Sequence, residues 1–86
     1  MSETELPALS VSLLVRAPAA LRRRALRLWI ERGRGDLRRV EMVHLVAVES
    51  LLEGSRGGRV IELPGRGRVE RKKGRLRFHA ERVEKE

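Results

Sequence analysis

The chain has 86 residues, with 20 Lys and Arg against 12 Asp and Glu, and a formal net charge of +8. That length holds one small domain, which buries only roughly 60–65% of the surface its unfolded chain exposes. The absence of cysteine excludes disulfides and thiolate metal sites, and no apolar run reaches the roughly 18 residues of a membrane span.

The first residues are acidic and polar, unlike a secretory signal, and a cytoplasmic location is expected. With two histidines, His44 and His79, no tyrosine and few serines, a self-contained enzyme has little to work with. The basic excess points to an anionic partner, above all nucleic acid. Seventeen of the basic residues are arginine, and an arginine-rich coding bias accounts for the same count. Placement separates the two readings.

Residues 1–8 are expected to form a flexible leader, and residues 9–80 a single domain. Leu9 to Ala17 is a short apolar stretch between Pro7 and Pro18. It predicts an extended segment followed by about one turn of helix capped by Ser12. Pro18 to Arg32 predicts the clearest helix, with proline at its first position and Gly33 and Gly35 as its stop. Leu21, Ala25, Leu28 and Trp29 share its apolar face, widened by Leu26 and Ile30, while Arg23, Arg24, Arg27 and Glu31 lie opposite. Arg22 falls inside the apolar arc, where it snorkels or pairs with a carboxylate.

Asp36 is the next N-cap candidate, and Leu37 to Glu53 is expected as a second helix stopped by Gly54. Its core stripe is Val40, Val43, Ala47, Val48 and Leu51, with His44 among them. The short connection predicts an antiparallel or steeply crossed helix pair. Gly54 to Gly58 is a connector.

From Arg59 onward the hydropathy period changes to two. Arg59 to Leu63, Arg68 to Lys72 and Arg75 to Ala80 are strand candidates, separated by turns at Pro64-Gly65 and Lys73-Gly74. A two-residue turn pairs Val69 with Phe78 and Arg71 with Leu76, and a four-residue loop pairs Val69 with Leu76. A three-residue loop opposes Val69 to Arg77 and breaks the alternation. Both surviving registers turn Arg68, Glu70, Lys72, Arg75, Arg77 and His79 outward. Both turn Val69, Arg71, Leu76, Phe78 and Ala80 inward, with Arg71 near enough to the turn to reach water. Residues 81–86 are expected to be a frayed tail.

No catalytic constellation is present: there is no supported Ser/His/Asp set, no HExxH and no Walker-type loop. Gly54, Gly57, Gly58, Gly65 and Gly67 follow a helix and lead into a strand, the reverse of a dinucleotide fingerprint, so they are turn glycines. His44 is a structural histidine, and no metal site is expected because His79 offers no second ligand to it. Trp29 and Phe78, the only aromatics, fall on core faces, so base stacking is not expected. The expected phosphate contacts are Arg23, Arg24 and Arg27 on the helix, and Arg66, Arg68, Lys72, Lys73, Arg75 and Arg77 on the hairpin. The alternative is a solvated helix face and a charged sheet face that resists aggregation.

PAALRRRALRLWIERG, DLRRVEMVHLVAVESLLEG and GGRVIELPGRGRVERKKGRLRF, in that order, resemble the region after the catalytic domain of tRNA(Ile)-lysidine synthetases. The likeness spans about Leu9 to Phe78 and is sharpest at Leu63-Pro64-Gly65 and Gly74-Arg75-Leu76-Arg77-Phe78. The resemblance implies tRNA as partner, a PP-loop catalytic domain bearing an SGGxDS motif elsewhere in the intact enzyme, and ATP as that domain's cofactor. The motif is missing from this sequence, and no cofactor is expected in this chain. The chain then looks like one domain of a larger ligase, gripping tRNA without modifying it.

The expected fold is α+β, with two main helices packed on a small antiparallel sheet of about three strands. Two other functions stay open: a structural module that packs on a catalytic domain, and a small DNA-binding protein. An uncovered apolar patch at Leu9 to Val15 favours the first. The short helix-turn is compatible with the other, but the second helix shows few outward basic residues beyond Arg38 and Arg39. Sequence alone leaves the oligomeric state open.

Overall fold

The computed structural model describes residues 6–54, 57–65 and 67–80. Strand β1 (Leu9–Ser10) leads into helix α1 (Val11–Arg16), α2 (Ala19–Arg34) and α3 (Met42–Glu49), which tightens into a 3-10 turn (Ser50–Leu52). Strands β2 (Val60–Glu62), β3 (Arg68–Lys72) and β4 (Arg75–His79) follow. The fold is α+β as expected, but its antiparallel sheet has four strands, in the order β1-β4-β3-β2. The added strand is only Leu9 and Ser10, paired with Leu76 and Arg75, and is too short to carry a pattern of its own.

The hairpin adopts the two-residue turn: Val69 pairs with Phe78 and Arg71 with Leu76. Lys73 (φ 52°) and Gly74 (φ 75°) both lie in the left-handed region, as a type I′ turn requires. The Pro64-Gly65 turn closes with Leu63 N–H donating to Gly67 O at 3.0 Å.

The helices depart from expectation in four places. The cap of α1 is Ser10, whose Oγ accepts Leu13 N–H at 3.2 Å, rather than Ser12. Helix α2 runs through Gly33 to Arg34 and ends at Gly35 (φ 98°). Its buried residues are Leu26, Trp29 and Ile30, whereas Leu21 and Leu28 are exposed. The face is rotated because it also carries Gly33, which a hydropathy count does not score as interior, while Arg22 lies within the arc and meets a carboxylate, as expected. Arg22 pairs with Glu49 on α3, and Gly33 is covered by the Phe78 ring.

Helix α3 begins at Met42 instead of Leu37. Asp36 Oδ1 does accept Arg38 N–H at 3.0 Å, but Arg39 (φ 67°) then breaks the helical path. Glu41 is the true N-cap, in a reciprocal capping box with His44, whose Nδ1 accepts Glu41 N–H at 2.8 Å. His44 is therefore structural as expected, but as a cap. The later start shifts the core stripe: Leu45, Val48, Leu51 and Leu52 are buried, while Val43 is exposed.

These side chains join Val11, Leu14, Val40, Leu63, Val69 and Leu76 in one core between the helices and the inner face of the sheet. Within the stretch 1–8, Leu6 packs on this core and Pro7 O accepts Trp29 Nε1–H at 2.9 Å. Residues 1–5 and the tail 81–86 lie outside the described residues.

Arg71 corrects a further expectation. It does not reach water beside the turn but is buried, at 7% exposure. Its Nη1 donates to Leu51 O at 2.9 Å, Gly54 O at 3.0 Å and, more weakly, Glu53 O at 3.4 Å. The guanidinium thus caps the carbonyl end of the α3 and 3-10 unit.

Candidate nucleic-acid interface

Helix α2 presents its arginines in two groups. Arg22 Nε and Arg23 Nε donate to the two oxygens of Glu49, at 2.8 and 3.0 Å. Arg22 also donates to Ala17 O at 3.1 Å. Arg23, expected as a phosphate contact, is therefore half-held by a carboxylate. Arg24 and Arg27 are exposed, with no partner among the described residues. Arg32, also exposed and without a partner among the described residues, adds to the free positive charge of this helix.

Burial pushes the Glu49 carboxyl upward, but the hydrogen bonds and charges of Arg22 and Arg23 outweigh it and hold the pKa below the ordinary 4.5. A carboxyl depressed by folding contributes stability that is full above the unfolded value and is lost as pH falls through the folded one. Glu49→Gln is expected to be less stable than the parent above about pH 4.5, with the two converging as acid protonates Glu49. Urea denaturation midpoints across pH 2.5–7 check this, an interval of roughly two units either side of the carboxylate range. A constant gap at every pH would mean that Glu49 is not held by its charge.

On the sheet, cross-strand partners share a face. The outward face places Lys72 beside Arg75, Glu70 beside Arg77, and Arg68 beside His79. Strand β2 extends these rows, with Glu62 opposite Arg68 and Val60 opposite Glu70. His79 Nε2 and Glu70 Oε1 are 2.8 Å apart, and this bond, against a smaller cost of burial, lowers the Glu70 pKa. The face is consequently polarised. Glu62 lies with Arg68 and His79 at one end, Glu70 faces Arg77 at mid-strand, and Lys72, Lys73 and Arg75 gather at the hairpin tip. Lys72, Lys73, Arg75 and Arg77 are exposed. Sequence parity foresees the outward row but not Glu62, which enters only through β2 pairing. Arg66 lies outside the described residues.

Trp29 and Phe78 meet edge to face, with centroids 5.9 Å apart and planes at 82°. Neither offers a stacking platform. Helix α3 contains no Arg or Lys, and Arg38 and Arg39 stand in the loop before it, so the second helix gives the DNA-binding alternative no basic face. Among the described residues, no group of three or more His, Asp or Glu is placed to hold a metal, and no helix is long and apolar enough to cross a membrane.

Compared with known protein families, residues 9–77 match the model of the TilS substrate binding domain. The chain belongs to that family. It is therefore a tRNA-substrate-binding module of the tRNA(Ile)-lysidine synthetase family. No curated protein and no solved structure matches the chain. The matched span of this TilS substrate binding domain runs from β1 through most of β4 and so includes both the α2 arginines and the hairpin tip. Its Leu63-Pro64-Gly65 block is the closed turn before β3, and its Gly74-Phe78 block is the turn and β4.

Proposed function

We propose that this domain grips tRNA by its phosphates and is itself non-catalytic, serving a ligase whose ATP-dependent chemistry is carried by another domain in the cytoplasm. The observation that supports this reading is the exposed basic tip of the hairpin, Lys72, Lys73 and Arg75, continued by Arg77 opposite Glu70, with Glu62 at the far end of the face. Arg24 and Arg27 supply a second row. Arginine forks hold phosphate oxygens bidentately, and a rigid two-stranded ribbon keeps them in register.

Contact with roughly four to six phosphates predicts a slope of log affinity against log salt of about −3 to −5. Reversing charge with Arg75→Glu and Arg77→Glu is expected to weaken tRNA binding at least about tenfold and to flatten that slope by about two. Fluorescence anisotropy on a tRNA(Ile) transcript at several salt concentrations measures both. Equal binding by parent and variant would remove the hairpin from the interface.

A second reading rests on Leu13 and Val15, which α1 leaves exposed at 61% and 51%. Exposed apolar side chains of this size on a short helix suit packing against a neighbouring catalytic domain. Leu13→Glu with Val15→Glu would abolish such docking while leaving tRNA affinity of the isolated domain intact.

A further inference from the structure

A third basic locus lies away from the hairpin tip and the α2 row. The loop between α2 and α3 and the Pro64-Gly65 turn enclose an open depression of about 760 Å³, lined by Arg34, Asp36, Arg38, Arg39 and Gly65. Its floor is rigid. The Arg34 side chain is 7% exposed and donates through Nη1 to Asp36 O at 3.1 Å and Arg38 O at 3.0 Å. Through Nη2 it donates to Pro64 O at 3.0 Å, so one buried guanidinium ties both walls together. The walls also approach closely, since a Cβ on Gly65 would lie 2.7 Å from Arg34 Nη2.

The Asp36 carboxylate is engaged by Arg34 at 3.4 Å, which offsets its charge. Arg38 and Arg39 are exposed, and their guanidinium groups have no partner among the described residues. Arg39 is held at φ 67°, a conformation that non-glycine residues rarely adopt and that glycine would adopt without strain. An arginine in that conformation, next to a second exposed arginine and on a braced floor, is an arrangement that suits an oxyanion.

We propose that this depression is a phosphate-binding site for the RNA backbone, with Arg38 and Arg39 as its ligands and Arg34 as the residue that positions their loop. The proposal rests on the tRNA-gripping reading and adds a contact outside the hairpin and the α2 row. The ligand chemistry, a phosphate monoanion or diester, is shared by free phosphate, so the test separates the two sources.

The experiment compares the parent chain with an Arg38→Ala, Arg39→Ala double variant and with Arg39→Gly, using anisotropy on a tRNA transcript over a salt series. The double variant is expected to bind at least about fivefold more weakly, with the salt slope flattened by about two. Arg39→Gly is expected to keep the parent's thermal midpoint or raise it while weakening binding about threefold, because it relieves strain and removes one phosphate contact. Unchanged affinity and slope in the double variant overturn the site and leave the gripping reading standing. A lowered midpoint for Arg39→Gly overturns it too, since Arg39 would then serve the fold. If inorganic phosphate shifts the Arg38 and Arg39 Nε–H resonances but the double variant binds tRNA normally, the pocket takes free phosphate and the RNA assignment fails. A parent chain that binds no tRNA at any salt sinks the gripping reading and this site with it.

Discussion

Arg71→Ala is expected to destabilise the domain by roughly 3 kcal/mol and to lower its thermal midpoint by about 15 °C. The residue is a buried cation with no carboxylate partner among the described residues. What holds it is the carbonyl end of the α3 and 3-10 unit, at Leu51 and Gly54. Those oxygens form the negative pole of the helix and need donors. Truncation leaves the buried Leu51 carbonyl unsatisfied, at about 1–3 kcal/mol, and removes charge-assisted bonds worth about 1.5–3 kcal/mol. The Gly54 carbonyl is nearer solvent and recovers water, which keeps the total near the low end of their sum. Arg71→Lys keeps the charge but replaces the fork by a single ammonium, so an intermediate loss is expected. Thermal and urea denaturation followed by circular dichroism measure both. A loss below about 1 kcal/mol for Arg71→Ala would show that water replaces the guanidinium at the helix end.

Gly33→Ala is the second large effect, and its sign opposes helix propensity. In the interior of a helix, alanine is favoured over glycine by about 1 kcal/mol. Here a Cβ would stand 2.5 Å from two carbons of the Phe78 ring. The ring cannot move aside cheaply. A Cβ on Gly67 would lie 2.7 Å from its Cζ, and Trp29 meets it edge to face. Overpacking of this kind costs about 1–3 kcal/mol or more. Since three ring atoms are approached at once, the steric cost outweighs the propensity gain. We expect a net loss of about 2 kcal/mol and a midpoint lower by about 10 °C. Phe78→Leu in the same chain should restore part of the loss, because a smaller side chain opens the space. Additive losses in the double variant would show that the two residues do not meet, and a stabilised Gly33→Ala would show that propensity governs the position.

Both effects involve residues that pattern reading places differently. Gly33 has the position of a helix stop, and only Phe78, far along the chain, makes it an interior residue of α2. Arg71 alternates onto the inner face correctly, yet its partner carbonyls belong to another element. The rotated face of α2 has the same origin. Arg22 reaches Glu49 across 27 residues of sequence, and Arg23 reaches it across 26. The hydropathy arc foresees a carboxylate for Arg22, but not that it is Glu49 or that Arg23 shares it. The late start of α3 is a local effect that was hidden for a different reason: Asp36 makes the turn its type favours, but Arg39 then takes a left-handed conformation that arginine does not advertise.

Among the candidate contacts, the hairpin set was legible because strand alternation is a strict period of two and the Lys73-Gly74 turn selects its register. The α2 set was legible as a charged row, but not its division into Arg23, tied to Glu49, and Arg24 and Arg27, open to solvent. Arg38 and Arg39 were concealed by the expectation that they lie on a helix. Their adjacency in sequence was the available signal.

Sequence by itself determined the α+β class, the hairpin with its basic outward row, and the likeness to a substrate-binding module of a lysidine synthetase. These follow from interactions between near neighbours, from turn conformation and from the order of blocks along the chain. Tertiary structure alone decided which arginines among the described residues are held within the fold and which are open to solvent. Arg22, Arg34 and Arg71 are bound within the fold by groups distant in sequence, with Arg71 reaching Leu51 across 20 residues and Arg34 reaching Pro64 across 30. A guanidinium carries the same charge at every position, so only the geometry of its acceptors separates a buried cap from a free phosphate contact.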